Sequence, residues 1–335
     1  MSNSSILVFA PAWWTAAAAV VVATSLSAAQ AATATEGNRT LPALLQAHSY
    51  SSTDLRRLAG NFLTVSAIVN GERAEFLVDT GSTNTVIDRR LERRLGLSVR
   101  PSGKFVRGTL GSSRERYGRA RVDRMSVGNF QLTRVPVIVF ELSPTHGATA
   151  KQNIRVDGLF GARQMRLNAA VIDFHWQAIF MSRLPRRREL SDEIAAALGK
   201  RGFRRIPIRI TSTARFAVDA AVNGVATTLL IDSGAYVTCL DEALASRAGL
   251  EASRNALRMT AVGQREAEFR LAKPRSLNIG DVRINNAELL VTKMTADTGA
   301  TYRGERTEGG VLGAEYLALK SAIIDCGGMA LYLRN

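Results

Sequence analysis

The chain has 335 residues, of which 46% are hydrophobic and 22% charged. That is enough apolar material for one large core or two ordinary ones, and it excludes a disordered or fibrous chain. Two cysteines exclude a disulfide scaffold, and His48, His146 and His175 stand too far apart to form a zinc-ligand pattern, so neither metal nor cofactor is expected. The net charge of +15 favours anionic partners and says nothing about fold.

Residues Ile6 to Leu26 are almost wholly apolar, and no charged side chain precedes Glu36. Ala29-Gln30-Ala31 and Ala32-Thr33-Ala34 follow as candidate cleavage sites. The pattern is that of a secretory signal, although the usual positive start is missing. The run is also long enough to remain in a bilayer as an anchor through residues 6–26. Either case puts the folded part outside the cytoplasm, in a periplasm or secreted. Residues 1–31 therefore read as signal or anchor, and 32–53 as a flexible polar tether.

The rest is one unit written twice. Ile68-Val69-Asn70-Gly71 returns as Ala221-Val222-Asn223-Gly224, and Asn-Gly between alternating apolar runs predicts a tight hairpin. Each hairpin leads into an apolar strand, Phe76-Leu77-Val78-Asp79 and Leu229-Leu230-Ile231-Asp232, at an offset of 153 residues. Gly158-Leu159-Phe160-Gly161 returns as Gly310-Val311-Leu312-Gly313. A period this long marks a duplicated lobe, not a solenoid. Strand character covers 65–69, 75–78, 120–127 and 132–140, and again 217–222, 227–231, 267–271 and 288–292. Short helices are predicted from Asp88 to Leu95 and from Asp241 to Ala248, each stopped by a glycine, Gly96 or Gly249. The lobes are bounded at 54–185 and 206–335. Between them lies a basic connector, 186–205, with a short helix around Ile194 to Leu198.

Each copy ends its apolar strand in a glycine loop: Asp79-Thr80-Gly81-Ser82 and Asp232-Ser233-Gly234-Ala235. Matched strands can bring two such carboxylates face to face across a pseudo-twofold axis. Like charges a few ångströms apart cannot both ionise comfortably, so the pair shares a proton. One member can then act as base on water and the other as acid toward a carbonyl. Asp79 and Asp232 are the catalytic candidates, and Thr80, Gly81, Ser82, Ser233, Gly234 and Ala235 form their loops. Asp173 and Asp325, also at matched places, read as turn residues. Cys239 and Cys326 match Val86 and Phe174, which favours buried free thiols over a disulfide.

These paired motifs resemble those of the pepsin-like and retroviral-type (retropepsin-like) aspartic peptidases. The first loop is similar to the pepsin form and the second to the retroviral one. Leu159-Phe160-Gly161 and Val311-Leu312-Gly313 match the family's apolar-apolar-glycine element. The resemblance, over about residues 60–335, implies an all-β, bilobal fold of two duplicated β-barrel-like lobes with short helices and a cleft between them. It also implies an aspartic endopeptidase acting on peptide or protein. The pepsin-type flap tyrosine and lobe disulfides are missing. Flap candidates are 107–114 and 259–264, with tips at Leu110-Gly111 and Val262-Gly263; Val86, Val106, Leu110 and Val262 are candidate apolar walls of the substrate cleft. Ala235 lacks the hydroxyl with which Ser82 can donate to Asp79, so Asp232 is expected to have one hydrogen-bond donor fewer and the dyad to be harder to ionise fully.

A monomer is expected, with no specific nucleic-acid partner, since no zinc finger or aromatic-interleaved basic stripe occurs. The arginines at 183–188 and 200–205 could meet an anionic membrane surface; the plainer reading is a solvated connector. A catalytically silent peptide- or polymer-binding protein on the same scaffold is the alternative function.

Overall fold

A computed structural model describes residues 40–108, 111–142, 156–261, 265–294, 300–302, 305–307 and 309–335. The fold is mostly β, in two duplicated lobes joined by a shared sheet.

In the first lobe, strands Leu63–Val69 and Glu72–Asp79 form the expected hairpin. Its turn places Asn70 at φ 47° and Gly71 at φ 98°, and the second copy repeats this with Asn223 at 50° and Gly224 at 84°. Both central residues of such a turn need positive φ, which is why Asn-Gly recurs there. The eight-stranded sheet runs on through Gly158–Gly161, Val86–Asp88, Phe130–Phe140, Gly111–Val127 and Arg100–Gly108. Leu63–Val69 also pairs with Gly111–Val127, which closes the sheet on itself. The second lobe repeats this order. Its counterpart of the long strand Gly111–Val127 is broken into Arg265–Ala272 and Leu277–Ile279. Pro274 stands where the first lobe has Val122, and proline has no amide proton for a ladder.

The helices follow their caps. Asp88 accepts from the Arg90 amide at 2.8 Å to start Arg89–Leu95, and Gly96 ends it in the left-handed region. Asp241 caps Glu242–Arg247 in the same way, through the Ala243 amide.

A six-stranded sheet joins the lobes in the order Ser51–Asp54, Ala178–Met181, Val171–Asp173, Ile323–Asp325, Ala330–Arg334, Phe203–Pro207. Ile172 faces Ile324 at its centre, so the pseudo-twofold axis passes between them. Helices Thr40–Ala47 and Arg188–Gly199 cover this sheet through Leu41, Leu45, Leu190, Ile194 and Leu198, all buried. This corrects the expectation for 32–53. From residue 40 the segment is a packed helix followed by an edge strand, because Leu41 and Leu45 stand four apart and point to one face. Residues 32–39, and the apolar run 6–26, lie outside the described residues. Among the described residues no helix is long and apolar enough to cross a membrane.

The connector is not wholly solvated. Arg186 is buried against Asp325, with Nη2 to Oδ1 at 2.6 Å and side-chain exposures of 5% and 0%. Asp173 and Asp325 both close turns: Asp173 accepts from the His175 and Trp176 amides, and Asp325 from that of Gly328. Both cysteines are free, Cys326 buried in the core and Cys239 half-buried.

Candidate active site

Asp79 ends the strand Glu72–Asp79, and Asp232 follows Val225–Ile231 directly. Each strand lies parallel to the short strand of the matching apolar-apolar-glycine element: Asp79 is level with Gly161, and the Asp232 amide donates to Leu312 O at 3.0 Å. Glycine is required there because the loop passes over it. A β-carbon on Gly161 would lie 2.3 Å from Asn84 O, and one on Gly313 2.5 Å from the Val237 carbonyl carbon. Thr85 and Thr238 pin these turns by accepting from the Gly161 and Gly313 amides at 3.3 and 2.9 Å. Sequence reasoning passed over this pair, although a threonine six residues after each aspartate was there to be seen.

The two loops are braced across the lobe boundary by four crossed hydrogen bonds. The Ser233 hydroxyl donates to Val78 O at 2.6 Å and accepts from the Thr80 amide at 3.0 Å. The Thr80 hydroxyl donates to Ile231 O at 2.9 Å and accepts from the Ser233 amide at 3.0 Å. Both side chains are completely buried. The carboxyls are thereby held over each other's glycines. A β-carbon on Gly81 would sit 2.2 Å from Asp232 Cγ, and one on Gly234 2.6 Å from Asp79 Cγ. Only glycine permits that approach.

Asp79 Oδ1 accepts from the Gly81 and Ser82 amides at 2.9 and 3.0 Å, and Asp232 Oδ1 from Gly234 at 2.9 Å. The two carboxyls lie close enough to perturb each other. Burial, and then the negative charge of Asp232, hold Asp79 well above the usual carboxylate range. Burial also raises Asp232, against the Gly234 and Ala235 amides. Both carboxyls are thus harder to ionise than an ordinary aspartate, as two close like charges in a buried site must be.

The Ser82 hydroxyl does not take the expected part. It donates to Asn84 O at 2.9 Å, and its backbone amide serves Asp79 instead. Backbone amides reach both carboxylates from both loops, so Ala235 leaves no donor missing of the kind expected.

Val86 and Val106 are both buried, in a small cluster with Phe140, Leu142 and Leu159. The strands leading to both flap candidates exist: Arg100–Gly108 with Gly111–Val127, and Ala252–Ala261 with Arg265–Ala272. Gly111 opens the second strand of the first hairpin; Leu110, Val262 and Gly263 lie outside the described residues. Among the described residues no cluster of His, Cys, Asp and Glu could hold a metal.

The family model described as aspartyl protease matches this chain twice, over residues 65–163 and 218–316, once in each lobe and over more than half of the chain in all. Among solved structures, the chain is similar to a retropepsin-like aspartic protease from Rickettsia conorii, at 14% identity over 39% of this chain and 89% of that one, with a TM-score of 0.29. None of the curated proteins matches. With one match on each lobe, and each covering an Asp-Thr/Ser-Gly loop, this chain belongs to the aspartyl protease family.

Proposed function

We propose that the protein is an endopeptidase that hydrolyses peptide bonds with water activated between Asp79 and Asp232. The observation that carries this reading is the pair of aspartates, Asp79 buried and Asp232 half-buried, each held over the other's loop glycine by crossed hydrogen bonds between the two loops. One carboxylate of the pair takes a proton from water as the water oxygen bonds to the scissile carbon. The other, protonated, gives its proton to the carbonyl oxygen, and a gem-diol forms. The C–N bond then breaks as the amide nitrogen takes the proton from the first aspartate, and a gem-diol hydroxyl returns one to the second. The products are a carboxylic acid and an amine, and the dyad is restored.

An aspartate pair between two β lobes, each carrying a long hairpin, suits an extended peptide held by backbone bonds, with side chains alternating into pockets. The apolar run at 6–26 supports an exported enzyme meeting its substrates outside the cytoplasm. The test is cleavage of a mixed peptide library with and without an aspartic-protease transition-state inhibitor, by wild type, Asp79→Asn and Asp232→Asn. Inhibitable cleavage lost in both folded variants is expected; cleavage persisting in either variant would overturn the assignment.

A further inference from the structure

The two aspartate loops match in length and place, yet one of them alone turns a large side chain to solvent. In the second loop Ser233 points into the brace and is fully buried, Gly234 lies under the Asp79 carboxyl, and the Ala235 carbonyl accepts from the Ala314 amide at 2.9 Å. Tyr236, next along, is 55% exposed. Its mate in the first loop is Thr83, 153 residues earlier. Thr83 is half-buried, and its hydroxyl donates to Thr213 O at 3.1 Å.

The Tyr236 ring has a built seat. It crosses the lobe boundary to meet the Phe62 ring, with centroids 6.1 Å apart and planes at 54°. A β-carbon on Gly60 would lie 2.2 Å from Tyr236 Cδ2, so the ring rests on the bare α-carbon of a residue that also holds φ 75°. The seat is beside the dyad. Thr64 faces Leu77, and the same register carried two places on, through the extended backbone of Phe62, brings Phe62 level with Asp79. Packing between the lobes does not account for the exposure, since Phe62 is 9% exposed where Tyr236 is 55%. A ring fixed on one side and open on the other is a preformed apolar surface, and a substrate that meets it has little left to order there.

We propose that Tyr236 is a specificity-determining residue that offers its ring to an aromatic or large aliphatic side chain on one side of the scissile bond, while the flank beside Thr83 offers no such ring. The inference rests on the peptidase reading and deepens it by naming a substrate class: peptides with an aromatic or large aliphatic residue at one flanking position. Contact of that side chain with the ring supplies the selectivity, as aromatic pairs gain beyond the area they bury.

The test digests a mixed peptide library with wild type, with Tyr236→Thr, which gives the second loop the residue of the first, and with Tyr236→Phe, which keeps the ring. Circular dichroism is the fold check. Wild type should favour aromatic and large aliphatic residues at one flanking position. Tyr236→Thr should lower that preference about two- to tenfold at that position alone, the range expected for loss of one aromatic contact. Tyr236→Phe should retain it. A Tyr236→Thr profile equal to wild type, or an activity loss spread evenly over the library, would overturn the proposal and leave the peptidase reading standing. If Tyr236→Thr does not fold, Tyr236→Leu, which keeps apolar bulk against Phe62, carries the same comparison for aromatic side chains. If the wild type cleaves nothing, the peptidase reading fails, and binding of the same peptides decides. A preference for aromatic-bearing peptides that Tyr236→Thr loses would support the role of the ring, and equal binding by both proteins would overturn it.

Discussion

Replacing Ser233 with alanine isolates the brace under the two carboxyls. The hydroxyl makes two bonds across the lobe boundary, to Val78 O and from the Thr80 amide, at a site closed to water. Ser233→Ala leaves that carbonyl and that amide buried without partners. Each such group costs about 1–3 kcal/mol, so the variant should lose about 2–5 kcal/mol of unfolding free energy. That is a large part of the 5–15 kcal/mol typical of a folded domain. Thr80→Val breaks the other two bonds and should lose a similar amount. Thr80→Ser keeps both and removes only a methyl, for about 1 kcal/mol. The assay is urea unfolding followed by circular dichroism, comparing midpoints at matched slopes. Peptide turnover on the residual folded fraction should fall further in Ser233→Ala than in Thr80→Ser, since the brace also sets the distance between the carboxyls. A Ser233→Ala variant within about 0.5 kcal/mol of wild type would refute the argument, because it would mean that the freed backbone groups find other partners.

Ala235→Ser should leave both limbs of the pH–rate profile where they are, because backbone amides already serve the dyad and the equivalent Ser82 hydroxyl is turned to Asn84 O; kcat/KM against pH checks this. Asp325→Asn should cost about 3–5 kcal/mol in urea unfolding by stranding the buried Arg186 charge, with part recovered in an Arg186→Met, Asp325→Leu double variant. Burial raises Asp173 to about 6 from an ordinary 3.8. The folded state therefore holds that proton longer than the unfolded chain does, and stability falls as pH rises from about 4 through 6. Asp173→Asn keeps the acceptor for the His175 and Trp176 amides and removes the titration. Its advantage in urea midpoint over wild type should grow across that window, toward an upper bound of about 3 kcal/mol.

The duplication, the two catalytic-type loops and the glycines beneath them were legible in the sequence because each depends on local chemistry. Asn70-Gly71 and Asn223-Gly224 turn where only such residues take positive φ, and Asp88 and Asp241 cap helices through amides two residues away. The motif spacing pointed to the family that the paired matches show.

What joins the lobes was not legible. Ser51–Asp54 and Phe203–Pro207 are short edge strands of a sheet whose partners lie more than a hundred residues away, and nothing local in Ser-Ser-Thr-Asp announces them. The tether read at 32–53 became a helix from Thr40 because burial of Leu41 and Leu45 needs a sheet surface built from both halves of the chain. Arg186 looked like one more solvated arginine until Asp325, 139 residues on, was seen to hold it. The Ser82 hydroxyl was assigned by analogy of position, yet a hydroxyl rotor goes to the nearest well-placed acceptor, and here that is Asn84 O. Local rules specify the turns, caps and motif glycines. Which polar groups meet across the axis is decided by distance, burial and charge in the assembled lobes.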